Sequence, residues 1–129
     1  MVQFTVTTAN DVVDLNDGRL SLREAVAQAN ATAAADTIVF SSSLAGQSIV
    51  LAAGQLTITR DLTIDGNANG GLGVTIDAQH ASRALQISSG AKQVNIDHIT
   101  ITGGNSHGAD GGGIVLGSNA DLGLTDSTI

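Results

Sequence analysis

Short, regularly alternating apolar strands, a segment that recurs at a fixed offset and a near-absence of aromatic residues predict an all-β fold. The form they predict is a right-handed parallel β-helix (β-solenoid) with an N-terminal α-helical cap. The recurring segment is read first, because self-similarity decides architecture. Gln55 to Gly66 holds two alternations, Leu56-Thr57-Ile58 and Leu62-Thr63-Ile64, around a polar corner from Thr59 to Asp61. Val94, Ile96, Ile99 and Ile101 recur as Leu122, Leu124, Ser127 and Ile129, each 28 residues on. The earlier copy, Leu56, Ile58, Leu62 and Ile64, aligns with Val94 to Ile101 when one extra corner residue is allowed. A coil of three short strands and three turns fits a repeat of roughly 20–50 residues. One coil cannot bury its own apolar side chains. Stacking coils makes a continuous column of Ile, Leu and Val and pairs the backbone laterally. Crossovers between parallel strands are almost always right-handed, which sets the hand.

The composition agrees with thin, regular layers. The 129 residues suffice for one domain and include 16 glycines but no proline, cysteine, tryptophan or tyrosine. Phe4 and Phe40 are the only aromatics, so Val, Ile, Leu and Ala must fill the interior. A formal charge of −7 and no basic cluster argue against nucleic acid as a partner. Without cysteine there is neither a disulfide framework nor thiolate chemistry. No run of about 18 apolar residues occurs, so no membrane-spanning helix is expected.

In chain order, Phe4 to Thr7 reads as an opening β-branched strand. Asn10 to Gly18 is an acidic, turn-rich loop. Ser21 and Glu24 have capping-box spacing, and a helix is predicted from about Leu22 to Ala33. Leu22, Ala25, Val26 and Ala29 form its narrow apolar face, and Glu24 in the first turn suits the helix dipole. Strands of three or four residues follow at Thr37–Phe40, Ser48–Leu51, Leu56–Ile58, Leu62–Ile64, Val74–Ile76 and Ala84–Ile87. More are predicted at Val94–Ile96, Ile99–Ile101, Gly113–Leu116, Leu122–Leu124 and Ser127–Ile129. Residues 1–36 therefore read as strand, loop and capping helix, and 37–129 as coils truncated at their C-terminal end. The start lacks the charged and apolar regions of a signal peptide. Ile129 closes an alternation with no turn after it, so the chain reads as the N-terminal piece of a longer protein.

Leu20 to Ala25, Leu-Ser-Leu-Arg-Glu-Ala, lies after Asp17-Gly18 and before Ala35 to Phe40, Ala-Asp-Thr-Ile-Val-Phe. This segment resembles the N-terminal region of bacterial surface and secreted parallel β-helix proteins with a Cys-Ser-Leu-Arg-Glu-Ala-type motif. Leu62 to Gly66 and Ile99 to Gly104 are similar to their β-helical body. Leu20 stands at the cysteine position, so any thiol role is absent here. The resemblance implies a large exported or cell-surface, adhesin-like protein with a helical N-terminal cap, and it does not imply a known catalytic site.

The cap has its own logic. The first rung of a stack exposes apolar side chains and unpaired amides and carbonyls, a template for wrong pairing. Leu22, Val26 and Ala29 are expected to lie over the first coil, near Val39 and Phe40. At the other end the open rung, Leu122, Leu124 and Ile129, has an edge that seeks a partner. The expected function is thus a non-catalytic capping and scaffold module used in adhesion or assembly, secreted or at the cell surface. It is expected to associate with itself as a dimer or larger assembly.

The enzymatic alternative is a fragment of a carbohydrate-active β-helix enzyme, such as a polysaccharide lyase or glycosidase, with carbohydrate as its partner. Asp65, Asp77 and Asp97 each follow a strand-ending Ile, and stacking is expected to bring two or three of these carboxylates near one another for acid and base work. Asp at that position also starts turns by bonding its own backbone, and that reading is preferred. No cofactor is expected. Calcium is the one candidate, through Gly103 to Asp110, which resembles a Gly-Gly-x-Gly-x-Asp nonapeptide in a single copy with altered spacing. That Gly-rich loop is also a candidate for binding. His80, His98 and His107 lack helical ligand spacing, and His98 is expected near Arg60 of the earlier rung. Gly111-Gly112-Gly113 lacks the strand–loop–helix setting of a phosphate cradle.

Overall fold

A computed structural model describes residues 3–14, 16, 18–32, 34–67, 73–88, 90–105, 113–117, 120–125 and 127–129. The strands are β1 (Gln3–Val6), β2 (Asp36–Phe40), β3 (Ser48–Val50), β4 (Leu56–Ile58), β5 (Leu62–Asp65) and β6 (Val74–Asp77). They continue with β7 (Leu85–Ile87), β8 (Gln93–Asp97), β9 (Ile99–Thr102), β10 (Ile114–Leu116) and β11 (Asp121–Thr125). The helix α1 spans Leu22–Asn30, and a single 3-10 turn covers Ser42–Leu44. The protein is mostly β, and every strand pairing is parallel.

The strands form three sheets ordered β1-β2-β5-β8-β11, β3-β6-β9 and β4-β7-β10. From β2 to β10, each pass of the chain places one strand in each sheet in the same sequence, a solenoid-like arrangement. Strand alternation sends every second residue inward. Registered inward residues therefore stack in columns: Ile38, Ile64 and Ile96; Ile49, Ile76 and Ile101; Ile58 and Ile87. All of these are buried and belong to one continuous core. Phe40 is buried within it and Phe4 half-buried at its edge, so the interior is aliphatic, as the composition requires.

The 28-residue offset appears as strand register. Val94 pairs with Leu122 and Ile96 with Leu124 in β8–β11, and Thr100 bridges Thr128. The earlier alignment is corrected by one strand. Leu62 and Ile64 pair with Val94 and Ile96, an offset of 32. Leu56 and Ile58 pair with Leu85 and Ile87, an offset of 29, and Val74 with Ile99, an offset of 25. Leu-Thr-Ile strands are locally alike, and corners of unequal length set a different spacing in each sheet.

The helix ends at Asn30, earlier than expected, with Ala31 as its C-cap; Ala33 lies outside the described residues. Val39 is corrected too. It alternates with the buried pair Ile38 and Phe40, so it sits on the half-exposed face of β2 and away from the cap. The opening strand β1 is hydrogen-bonded to β2 and forms the end strand of the five-stranded sheet.

Candidate functional site

The described residues with the densest polar bonding lie where α1 meets the end of the stack. Ser21 begins the helix as a capping box. Its Oγ accepts the Glu24 N–H at 3.1 Å, and Glu24 Oε1 accepts the Ser21 N–H at 2.8 Å. Ser21 Oγ also donates to the Val12 carbonyl at 2.6 Å, and Glu24 Oε2 accepts the Asp14 N–H at 2.9 Å. One box thus orders both the helix start and the preceding loop. The Ser21 N–H bond holds the Glu24 carboxyl below the ordinary glutamate range; burial opposes this, and the Asp14 N–H adds to it. Leu22, Val26 and Ala29 are buried with Ala25 and face the core that contains Phe40.

The opposite flank of the helix closes the free edge of β4. In β4, Leu56 and Ile58 bond across to β7, which leaves the Gln55 and Thr57 carbonyls and the Thr59 N–H pointing outward. Arg23 Nη1 donates to Gln55 O at 3.2 Å and Nη2 to Gly54 O at 2.6 Å. Asn30 Nδ2 donates to Thr57 O at 2.8 Å, while its Oδ1 accepts the Thr59 N–H at 2.9 Å. The Asn30 carboxamide therefore occupies the place of a peptide group of a neighbouring strand. Arg23 and Asn30 are seven residues apart, two helical turns, so they lie on one flank.

Asp11 fixes the arginine. Its two oxygens take Arg23 Nε at 2.7 Å and Nη2 at 3.0 Å, and Oδ2 also accepts the Ala53 N–H at 2.9 Å. Burial pushes its carboxyl up, but the Arg23 guanidinium and the Ala53 N–H outweigh it and hold the group below the ordinary aspartate range. The sequence reading names none of Asp11, Arg23 and Asn30 as site residues. The available signal is the polar pair at i and i+7 bordering the apolar stripe of α1.

Stacking brings two of the three aspartates side by side and separates the third. Asp65 and Asp97 are register partners on β5 and β8, but Asp77 lies on β6 in another sheet. Asp65 Oδ1 accepts the Asn67 N–H at 2.9 Å and Asp77 Oδ1 the Gln79 N–H at 2.8 Å. Both therefore start turns by bonding the backbone two residues on. Asp97 Oδ1 bonds His98 Nδ1 at 2.6 Å. His98 follows Asp97, whose register partner is Asp65, so it stands level with Gly66 and not with Arg60. A Cβ at Gly66 would lie 2.4 Å from His98 O, so glycine is required at that crossing. His80 sits in a turn, where its N–H donates to Gly103 O at 2.6 Å. His107, Asp110, Gly111 and Gly112, and with them most of the Gly-rich loop, lie outside the described residues. Among the described residues no group of three His, Cys, Asp or Glu is placed to hold a metal ion. No described helix is long and apolar enough to cross a membrane.

At the far end of the stack β10 and β11 are the last strands of their sheets. Leu116 and Leu124 are each 45% exposed and Ile129 is 55% exposed, while Leu122 is half-buried against the core. No protein-family model matches this chain, and neither a curated protein nor a solved structure matches it. The class that the fold defines is a mostly β protein of parallel sheets with one end closed by a helix.

Proposed function

We propose that this chain is a non-catalytic capping and scaffold module of a larger exported or cell-surface protein, built as a right-handed parallel β-helix. It serves adhesion or assembly and associates with itself through its last rung, Leu122, Leu124 and Ile129. One observation carries the reading: the two ends of the stack are treated differently. At the first end, α1 buries Leu22, Val26 and Ala29 and its side chains occupy the outward groups of β4. At the other, Leu116, Leu124 and Ile129 are exposed at the last described strands, β10 and β11. An edge of this kind is a template for another strand, and exposed apolar surface adds to the driving force.

Sedimentation velocity over a wide range of concentration tests the proposal. The wild-type chain is expected to move from monomer toward larger species as concentration rises. Leu124→Lys places a charge on the exposed rung and should hold the chain as monomer. A wild-type chain that stays monomeric at the highest concentration reached would sink the reading.

A further inference from the structure

An unfilled strand position lies beside β3, at the capped end of the stack and independent of the last rung. β3 is the end strand of its sheet and pairs with β6 on one side. Gln47 O accepts from Thr75, and Leu51 N–H donates to Asp77 O. Parallel pairing alternates, so Ser48 and Val50 turn their N–H and C=O groups away from β6. Among the described residues none of these four groups is bonded. The segment from Ala9 to Val12, which follows β1, faces Ser48, Val50 and Ala52 across a groove of about 440 Å³ without pairing with them. Asp11 ties that segment instead to Arg23 and to the Ala53 N–H. Both walls of the groove lie well inside the chain. Ligand sites typically enclose about 300–1,000 Å³.

We propose that this groove takes an extended peptide of another protein, added to β3 as a parallel strand. An unpaired strand edge is a template for such addition. A parallel strand continues the order of the sheet, in which β3, β6 and β9 all run one way. In that register the peptide residue opposite Ile49 is held twice. Its N–H donates to Ser48 O, and its carbonyl accepts the Val50 N–H. The same residue points inward, as Ile49 does. Ile49 is 1% exposed, so the space above it admits a small side chain, Gly, Ala or Ser.

The neighbouring peptide residues point outward and set the charge of the partner. They extend two rows on the sheet, Ser48, Thr75 and Thr100 in one, Val50, Asp77 and Thr102 in the other. The residue beside Val50 stands two strand spacings, about 10 Å, from Asp77. A lysine there lays its aliphatic stem over Val50 and carries its ammonium toward the Asp77 carboxylate. The formal charge of −7 on the chain also favours a basic peptide over an acidic one. The occupant is therefore an extended segment with a small residue followed by a basic one.

The blocked peptide acetyl-Val-Thr-Ala-Lys-Val-amide, titrated into the isotope-labelled full chain, tests the assignment through amide chemical shifts and hydrogen exchange. Shifts and slowed exchange are expected to centre on the Ser48 and Val50 amides. N-methylation of the peptide's alanine removes the donor for Ser48 O and should weaken binding at least tenfold. Exchanging its lysine for glutamate should weaken binding severalfold. An N-methylated peptide that binds equally well would mean that charge alone attracts it, and would overturn the proposal. So would binding that leaves the Ser48 and Val50 amides unshifted, or no shift at the highest peptide concentration reached. Val50→Pro removes an N–H that β6 does not use and should abolish binding while β3 stays paired. The peptide variants are read on the wild-type chain, so the test stands even where Val50→Pro does not fold. Protection of the same two amides that rises with chain concentration, without peptide, would put a second copy in the groove and overturn the peptide assignment.

Discussion

Ser21 does three things within one side chain: it accepts the Glu24 N–H, donates to the Val12 carbonyl and sits fully buried. Loss of a helix N-cap hydroxyl costs about 0.5–2 kcal/mol. Ser21→Ala should fall near the top of that range, because it also strands the Val12 carbonyl; equilibrium urea unfolding measures it. Asp11 and Glu24 make stability depend on acid. Both carboxyls are held below their ordinary values in the folded chain. A depressed carboxyl contributes stability that is complete above its unfolded value and is lost as pH falls through the folded one. Asp11 and Glu24 are therefore expected to contribute their full stabilisation above about pH 5 and to lose it progressively below about pH 4. Glu24→Gln keeps an acceptor for the Ser21 N–H but removes the titrating charge, so its stability should fall less steeply over the same acid range. An identical acid limb in wild type and variant would count against this role for Glu24.

At the scale of elements, α1 shows how a short helix is held. Nine residues are too few for a helix to persist alone in water. Its stability comes from the capping box, the buried face of Leu22, Ala25, Val26 and Ala29, and the bonds of Arg23 and Asn30 to β4. Leu22 is 1% exposed, and truncating a buried leucine costs about 2–5 kcal/mol. Leu22→Ala should lower the midpoint of thermal unfolding and open the 9–31 segment to proteolysis before the strands are cut. Simultaneous cleavage throughout the chain would show that the cap does not loosen first. Most strands were readable one by one because they alternate apolar and polar residues, as in Leu-Thr-Ile-Asp, Leu-Gln-Ile and Ile-Thr-Ile-Thr, while Ile-Val-Leu of β10 is an apolar run. Their partners were not, because Leu56-Thr57-Ile58 and Leu62-Thr63-Ile64 are interchangeable over three residues. Only the lengths of the intervening corners decide which one lies beneath Val94.

For the whole molecule, charge and exposed apolar surface act in opposition. A formal charge of −7 makes like copies repel, while Leu116, Leu124 and Ile129 favour contact. Raising salt from about 0.05 M to about 0.5 M shortens the screening length severalfold and leaves apolar contact in place. Self-association should therefore strengthen with salt, seen as a rise in weight-average sedimentation coefficient at fixed concentration. Weakening with salt would point to an ion-paired interface in place of the apolar one.

The sequence alone determined the short alternating strands, the helix with Ser21 and Glu24 at its start, the aliphatic interior and the 28-residue step from β8 to β11. These are local or strictly periodic properties, and side-chain alternation fixes them wherever the strand lies. The tertiary structure decided what depends on distant meetings: β5 beneath β8, β1 as the end strand of the longest sheet, and Asp77 apart from Asp65 and Asp97. It also decided that Asn30 and Arg23 stand in for a missing strand along β4. An unpaired strand edge must be satisfied by whatever polar group folding brings to it, and which group that is depends on how the helix lies, a property that no short window of sequence contains.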